Sequence, residues 1–197
     1  MPLLVVKKFL KKLFVRANLS ARILRYSLLS TNEHVLGRPN GFQPIQFMGA
    51  GKISFQKNVT IGVARSPGFW STYCYLESRS SGASIEIGHD TSINNGFSAI
   101  AEKCSIKIGS NCLIGHNVVI FDSNFHCLDP DLRHHGGDVS VGDVEIMDNV
   151  FIGSLVTILK NTKIGSGSVV AAGSVVSGDF PSNCIIAGNP AVIVSQQ

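Results

Sequence analysis

A period of six residues governs the C-terminal half of this chain. Ile146, Ile152, Ile158, Ile164, Val170 and Val176 follow one another six apart. Four residues after each stand Val150, Val156, Thr162, Ser168, Ser174 and Phe180, mostly small or β-branched. A helix repeats every 3.6 residues and a half-buried strand every two, so neither produces this spacing. A parallel β-helix does, because each hexad supplies one short strand and one corner, with its aliphatic residue pointing into the coil. The expected fold class is an all-β solenoid of hexapeptide repeats.

The same beat runs upstream in Ile108, Ile114 and Ile120, then in Ile87, Ile93 and Ala99, and Phe55 with Ile61 begins a further run. Gly62, Gly88, Gly109, Gly115, Gly153 and Gly165 each follow an aliphatic residue of the pattern, where glycine is expected to let the chain turn a corner. The beat slips by three residues between Ala99 and Ile108, and it breaks between Ile120 and Ile146. The break, 122–143, reads DSNFHCLDPDLRHHGGDVSVGD and is expected to leave the coil as a protruding loop. Binding groups concentrate on loops held by a rigid scaffold. The stretch 65–84 is poorly periodic, and its form stays open.

A chain of 197 residues can bury a substantial core. Its net charge of +4 is unevenly spread. Residues 1–38 hold eight basic residues and one acid, giving +7, while 39–197 hold nine and twelve, giving −3. An acidic body argues against nucleic acid as a partner. The expected organisation is a basic helical segment, 1–38, and a solenoid domain, 39–197.

On a helix, Leu3, Val6, Phe9, Leu10, Leu13 and Phe14 share one face, and Lys7, Lys8, Lys11 and Lys12 share the other. Such a helix can lie on an anionic membrane surface through residues 2–30. Equally, it can pack on the end of the solenoid and shield strand edges. Lysines interrupt what would be the apolar core of a signal peptide, so no export is expected. Cys74, Cys104, Cys112, Cys127 and Cys184 are odd in number and lack CxxC spacing. A cytoplasmic protein fits, with peripheral contact at the inner membrane face.

Four stretches carry a resemblance: Asp122-Ser-Asn-Phe-His-Cys-Leu-Asp-Pro130, Asp148-Asn-Val-Phe-Ile-Gly-Ser154, Ala172-Gly-Ser-Val-Val176 and Ala187-Gly-Asn-Pro-Ala191. Over roughly 50–194 the chain resembles the hexapeptide-repeat acyltransferases, particularly bacterial sugar and polysaccharide O-acetyltransferases. The resemblance implies a left-handed parallel β-helix, a homotrimer with sites between adjacent solenoids, and acetyl-CoA as co-substrate without a metal. It implies transfer of acetyl to a hydroxyl of a saccharide or lipid-linked saccharide.

An alcohol needs a base to take its proton as it attacks a thioester, and histidine suits this near pH 7. By similarity His126 holds the catalytic position. Asp122, Asp129 or a backbone carbonyl could orient it. Asn94 or Asn95 stands where related enzymes bind the acceptor, and Glu102 where a carboxylate grips sugar hydroxyls. His134 and His135 share the loop. Ser154 is placed near the thioester, Ala172 along the pantetheine channel, and Gly188, Asn189 and Pro190 at the nucleotide end. At Ser177-Gly178, Val192 and Ser195 the chain departs from its relatives' Thr-Lys and basic residues. Cationic contacts to the CoA phosphates then fall to groups such as Lys160 or Lys163.

Four other readings compete. Cys127 beside His126 invites an acyl-cysteine mechanism, but adjacent residues on an extended loop tend to point apart. A zinc hydrolyase would need three convergent histidines, and the spacing of His116, His126, His134 and His135 does not reproduce that pattern. N-acetylation of a nucleotide-linked amino sugar and a non-catalytic solenoid binding module complete the set.

Overall fold

A computed structural model describes residues 3–196, with side chains from residue 5 onward. Met1, Pro2 and Gln197, parts of the expected segments 1–38 and 39–197, lie outside the described residues. The N-terminal helix spans Leu3–Leu28, and the first strand of the coil, Val35–Leu36, already pairs with Lys52–Phe55.

The strands form three stacked faces. The first holds Val35–Leu36, Lys52–Phe55, Ser84–Ile87, Ser105–Ile108, Val144–Ile146 and the ends of Thr157–Ile164 and Val175–Phe180. The second holds Asn40–Gly41, Thr60–Ile61, Ser92–Ile93, Leu113–Ile114, Phe151–Ile152, Val169–Val170, Cys184–Gly188 and, antiparallel, Ala191–Gln196. The third holds Ile45–Met48, Cys74–Ser78, Ser98–Ala101, Val119–Phe121 and the starts of Thr157–Ile164 and Val175–Phe180. Each circuit of the three faces is one rung.

The six-residue beat becomes three internal ladders. Phe55, Ile87, Ile108, Ile146, Ile164 and Phe180 stand over one another on the first face. Ile61, Ile93, Ile114, Ile152, Val170 and Ile186 do so on the second. Leu76, Ala99, Ile120, Ile158 and Val176 do so on the third. All are buried. Each fully buried isoleucine contributes about 1.5–3 kcal/mol.

The glycines do a different job from the one expected. Gly88, Gly109, Gly115, Gly153 and Gly165 are not among the residues with positive φ. They are needed because rungs stack closely: a Cβ on Gly115 would lie 2.5 Å from the Ser154 nitrogen, and one on Gly153 would lie 2.6 Å from that of Ala172. Only Gly62, at φ +101°, also needs the left-handed freedom. The corner's left-handed residue comes three places after the aliphatic one, at Asn58, Asp90, Gly96, Asn111, Asn117, Asn149, Asn161, Gly167, Gly173 and Asn183. Asparagine, aspartate and glycine tolerate this conformation. Leu155, at φ +61°, breaks the rule.

The outer surfaces differ by face. The first carries Glu86, Lys107, Glu145, Lys163 and Asp179 in register, alternating in sign, with Lys163 and Glu145 2.9 Å apart. The second exposes Leu113 and Phe151, paired side by side. The helix packs against Ile45–Met48, the end strand of the third face, and residues 30–32 complete the cover of that edge: Thr31 and Asn32 donate to the Phe47 carbonyl, and Ser30 Oγ accepts from the Phe47 N–H. No helix among the described residues is long and apolar enough to cross a membrane.

Candidate active site

The slip after Ala99 and the long break both fall at the corner between the third and first faces. The slip opens a turn at 102–104 whose backbone N–H groups converge. Asp122, from the next rung, fills it: Oδ1 accepts from Glu102 N–H at 2.7 Å, and Oδ2 from Lys103 and Cys104 at 3.0 and 2.8 Å. Asp122 is fully buried. Its carboxylate is thus occupied as a corner anchor, and the expectation that it touches the acceptor or the catalytic histidine does not fit this geometry.

From Asp122 the loop leaves on a short stalk. Ser123 bridges Val141 antiparallel, Asn124 N–H donates to Ser140 O, and Gly142 N–H donates to Asp122 O. Phe125 follows with φ +60°, its N–H donating to Ser123 Oγ at 2.8 Å. His126 comes next, exposed, its N–H donating to Asn124 O at 2.7 Å. Asp129 turns the other way, its carboxylate accepting from the Asp131 N–H. Cys127 is half-buried against Gly137, where a Cβ would meet its sulfur at 2.7 Å, so its thiol packs inside the loop. His134 and His135 are exposed on the loop's outer part.

Glu102 is half-buried and accepts from Arg79 Nη1 at 2.7 Å. Arg79 Nε also reaches Glu77 at 3.1 Å. Burial alone would lower the guanidinium's pKa, but the bonds and charges of Glu102 and Glu77 outweigh it and raise it. Arg79 was not picked out from sequence; its only signal there is that it precedes a Ser-Ser-Gly corner.

The other edge of the third face, toward the second, gathers a different set. Asn95 is fully buried; its Nδ2 donates to the carbonyls of Val63, Ser66 and Pro67, and its Oδ1 accepts from Val63 N–H. It holds the aperiodic excursion that starts at Val63. Asn94 is the outward member of the pair, half-exposed, its Oδ1 capping the Asn95 N–H. Ser154, Ala172 and the Gly188-Asn189-Pro190 turn sit at this same corner on successive rungs, linked by Gly173 N–H to Ser154 O and by Gly188 N–H to Ser174 Oγ. Ser177 does not join them; it lies at the opposite corner, below the loop. Lys163 is on the first face, paired with Glu145. A shallow depression of about 430 Å³ opens along this same edge of the third face, lined by Ser71, Thr72, Tyr73, Tyr75, Ser98 and Asn117 among others. Burial, with the charge of Glu77 beside it, pushes the Tyr75 phenol up to about 12, so it stays a hydrogen-bond donor.

Within one chain, then, His126 and Glu102 stand on one edge of the third face, and Asn94, Ser154, Ala172 and the 188–190 turn on the other. Among the described residues no three His, Cys, Asp or Glu side chains are grouped to hold a metal.

The bacterial transferase hexapeptide (six repeats) family matches residues 143–178. A protein of Escherichia coli K12 named as the lipopolysaccharide biosynthesis O-acetyl transferase WbbJ is 32% identical over 164 residues, covering 78% of this chain and 76% of the relative. Galactoside O-acetyltransferase of Lactococcus lactis is 35% identical over 48% of this chain and 44% of its own length. The solved galactoside acetyltransferase in complex with coenzyme A superposes with a TM-score of 0.56 at 29% identity, covering 72% and 65% of the two chains. The chain spans about half the length, or less, of several curated relatives it matches. The triangular parallel coil and the hexapeptide-repeat match place the fold in the left-handed β-helix class of its solved neighbours. The chain belongs to the hexapeptide-repeat acetyltransferase family.

Proposed function

We propose that the protein transfers acetyl from acetyl-CoA to a hydroxyl of a saccharide, as a homotrimer, with His126 as general base. The observation that carries this reading is the separation of the two residue sets. A base on one edge and a donor groove on the other cannot meet across a rigid face, but the edges of adjacent copies can. Relatives named for galactoside and lipopolysaccharide O-acetyl transfer support the saccharide, as do the tyrosines and hydroxyls of the depression along the Asn94 edge. Neutral His126 takes the acceptor's proton as its oxygen attacks the thioester carbonyl. The tetrahedral intermediate collapses, the C–S bond breaks, and the imidazolium returns the proton to the departing thiolate. The products are an acetyl ester and free CoA.

The test is thiol release from acetyl-CoA over a panel of galactosides and oligosaccharides, with His126→Ala beside the parent chain. The variant should fold, sediment at three times 21.1 kDa and lose about 100-fold or more of turnover. Near-normal transfer would remove the base assignment, and a monomeric active species would remove the trimer.

The N-terminal helix supports a second element, peripheral contact with an anionic membrane. Its half-buried residues Val15, Leu19, Arg22 and Tyr26 mark the side toward the solenoid, where Arg22 Nη1 donates to the Phe69 carbonyl and Tyr26 stacks on Tyr73. Val6, Leu10, Leu13, Leu24 and Leu28 lie on the opposite side, exposed. Lys7, Arg16 and Arg25 border that stripe, Lys8, Lys11 and Lys12 lie on the other face, and residues 1–32 hold no acid. This helix fits an anionic bilayer at the cytoplasmic face, where five unpaired cysteines also suit a reducing medium. Deleting 2–30 should abolish sedimentation with phosphatidylglycerol vesicles; retained binding would refute the contact.

A further inference from the structure

We infer that Arg79 and Phe125 form a clamp that positions His126, an inference that rests on His126 being the base. Phe125 is held left-handed at φ +60°, a conformation that costs a bulky side chain about 1–2 kcal/mol and persists only where neighbours enforce it. Two neighbours do. The Arg79 guanidinium carbon lies 4.9 Å from the Phe125 ring centre, and the Phe121 ring meets it edge-on at 5.2 Å and 87°. A cation over the ring and an edge against it are both attractive.

Arg79 is itself held from two sides, by Glu77 at 3.1 Å and Glu102 at 2.7 Å. Glu102 is fixed in turn, because its N–H donates to the buried Asp122 carboxylate at 2.7 Å. Support therefore runs from Asp122 through Glu102 and Arg79 to the Phe125 ring, whose backbone carries His126 as the next residue. The histidine ring has no side-chain hydrogen-bond partner of its own among the described residues, so its backbone bears the burden of aiming it. Glu102 acts in this arrangement as a brace for the guanidinium.

The test compares Arg79→Met, Arg79→Lys, Phe125→Leu, Phe125→Tyr and His126→Ala in the full chain. Arg79→Met and Phe125→Leu should lower kcat about 10- to 100-fold, as a misplacement near 1 Å does, while KM for acetyl-CoA moves less than about twofold. Phe125→Tyr, which keeps the ring, should restore most of kcat. Arg79→Lys, which keeps the cation but cannot hold two carboxylates in a fixed fork, should fall between. Crystal structures of the parent and of Phe125→Leu supply a readout independent of any acceptor. The His126 ring should shift by more than about 0.5 Å, the tolerance of a productive site. A ring that superposes on the parent, or kcat unchanged in folded Arg79→Met, overturns the clamp. If His126→Ala stays active while the ring shifts, the base assignment fails and the positioning stands.

Discussion

The coil and the loop at 122–143 are built on opposite terms. In the coil the side chains that hold the fold face inward, stacked on their counterparts one rung above and below. In the loop the residue that matters faces outward, and what holds it comes from other strands. Inward-facing coil residues should therefore govern stability with little effect on the chemistry of the folded protein, whereas loop residues should do the reverse. The two meet at one residue, Asp122, which caps a coil corner and begins the loop's stalk.

Four changes sharpen or break this contrast. The largest loss of stability is expected for Ile152→Ala in the middle ladder, about 2–5 kcal/mol from lost burial and the cavity left behind. Turnover per folded molecule should hold, and a proportional fall in kcat at low temperature would blur the contrast. Asp122→Ala strands three amide donors at the corner. One unsatisfied buried donor costs about 1–3 kcal/mol, so both melting temperature and kcat should drop together. If only one falls, the joint is not shared.

Leu155→Asn runs the other way. It puts an asparagine at the one hexad corner where a leucine is left-handed, and should raise stability by about 1 kcal/mol, or about 2–4 °C at this size. Leu155 is 58% exposed beside Ser154. A stabilised variant with reduced transfer would mark it as kept for function at a cost in strain, whereas a lower melting temperature would show the leucine is packed by a neighbouring copy.

The smallest effect concerns pH. Asp143, where the loop rejoins the coil, has its pKa lowered by hydrogen bonds from the Ser105 amide and hydroxyl. A depressed folded pKa means stability that is present above the unfolded value near 3.9 and lost as pH falls through the folded one. The parent should lose slightly more stability than Asp143→Asn between about pH 5 and 2; parallel curves would show that the bonds are too solvated to matter.

Much of the coil was legible in the sequence. The ladders at Ile87, Ile93 and Ala99, at Ile108, Ile114 and Ile120, and from Ile146 to Val176 all stack as the spacing required. Corner chemistry was read less well. Glycines after the aliphatic residue were assigned a turning role, while the turning residue is three places on and the glycine makes room for the next rung. That offset was present in the sequence as a column of Asn, Asp and Gly, and Leu155 was visible as its exception. The site was legible only as separate motifs. Whether Asn94 or Asn95 points outward depends on an excursion with no period, and the partnership of Arg79, Glu102 and Phe125 joins residues on three different rungs.

By itself the sequence determined the repeat, the interior ladders and the place where the coil is interrupted. Each of these depends on neighbours a fixed six residues away, so local order contains them. Tertiary structure decided which carboxylate is spent on backbone amides, which asparagine is buried and what aims the histidine. Those outcomes depend on the register between rungs about twenty residues apart and on the length of each corner insertion. No single stretch of chain records both.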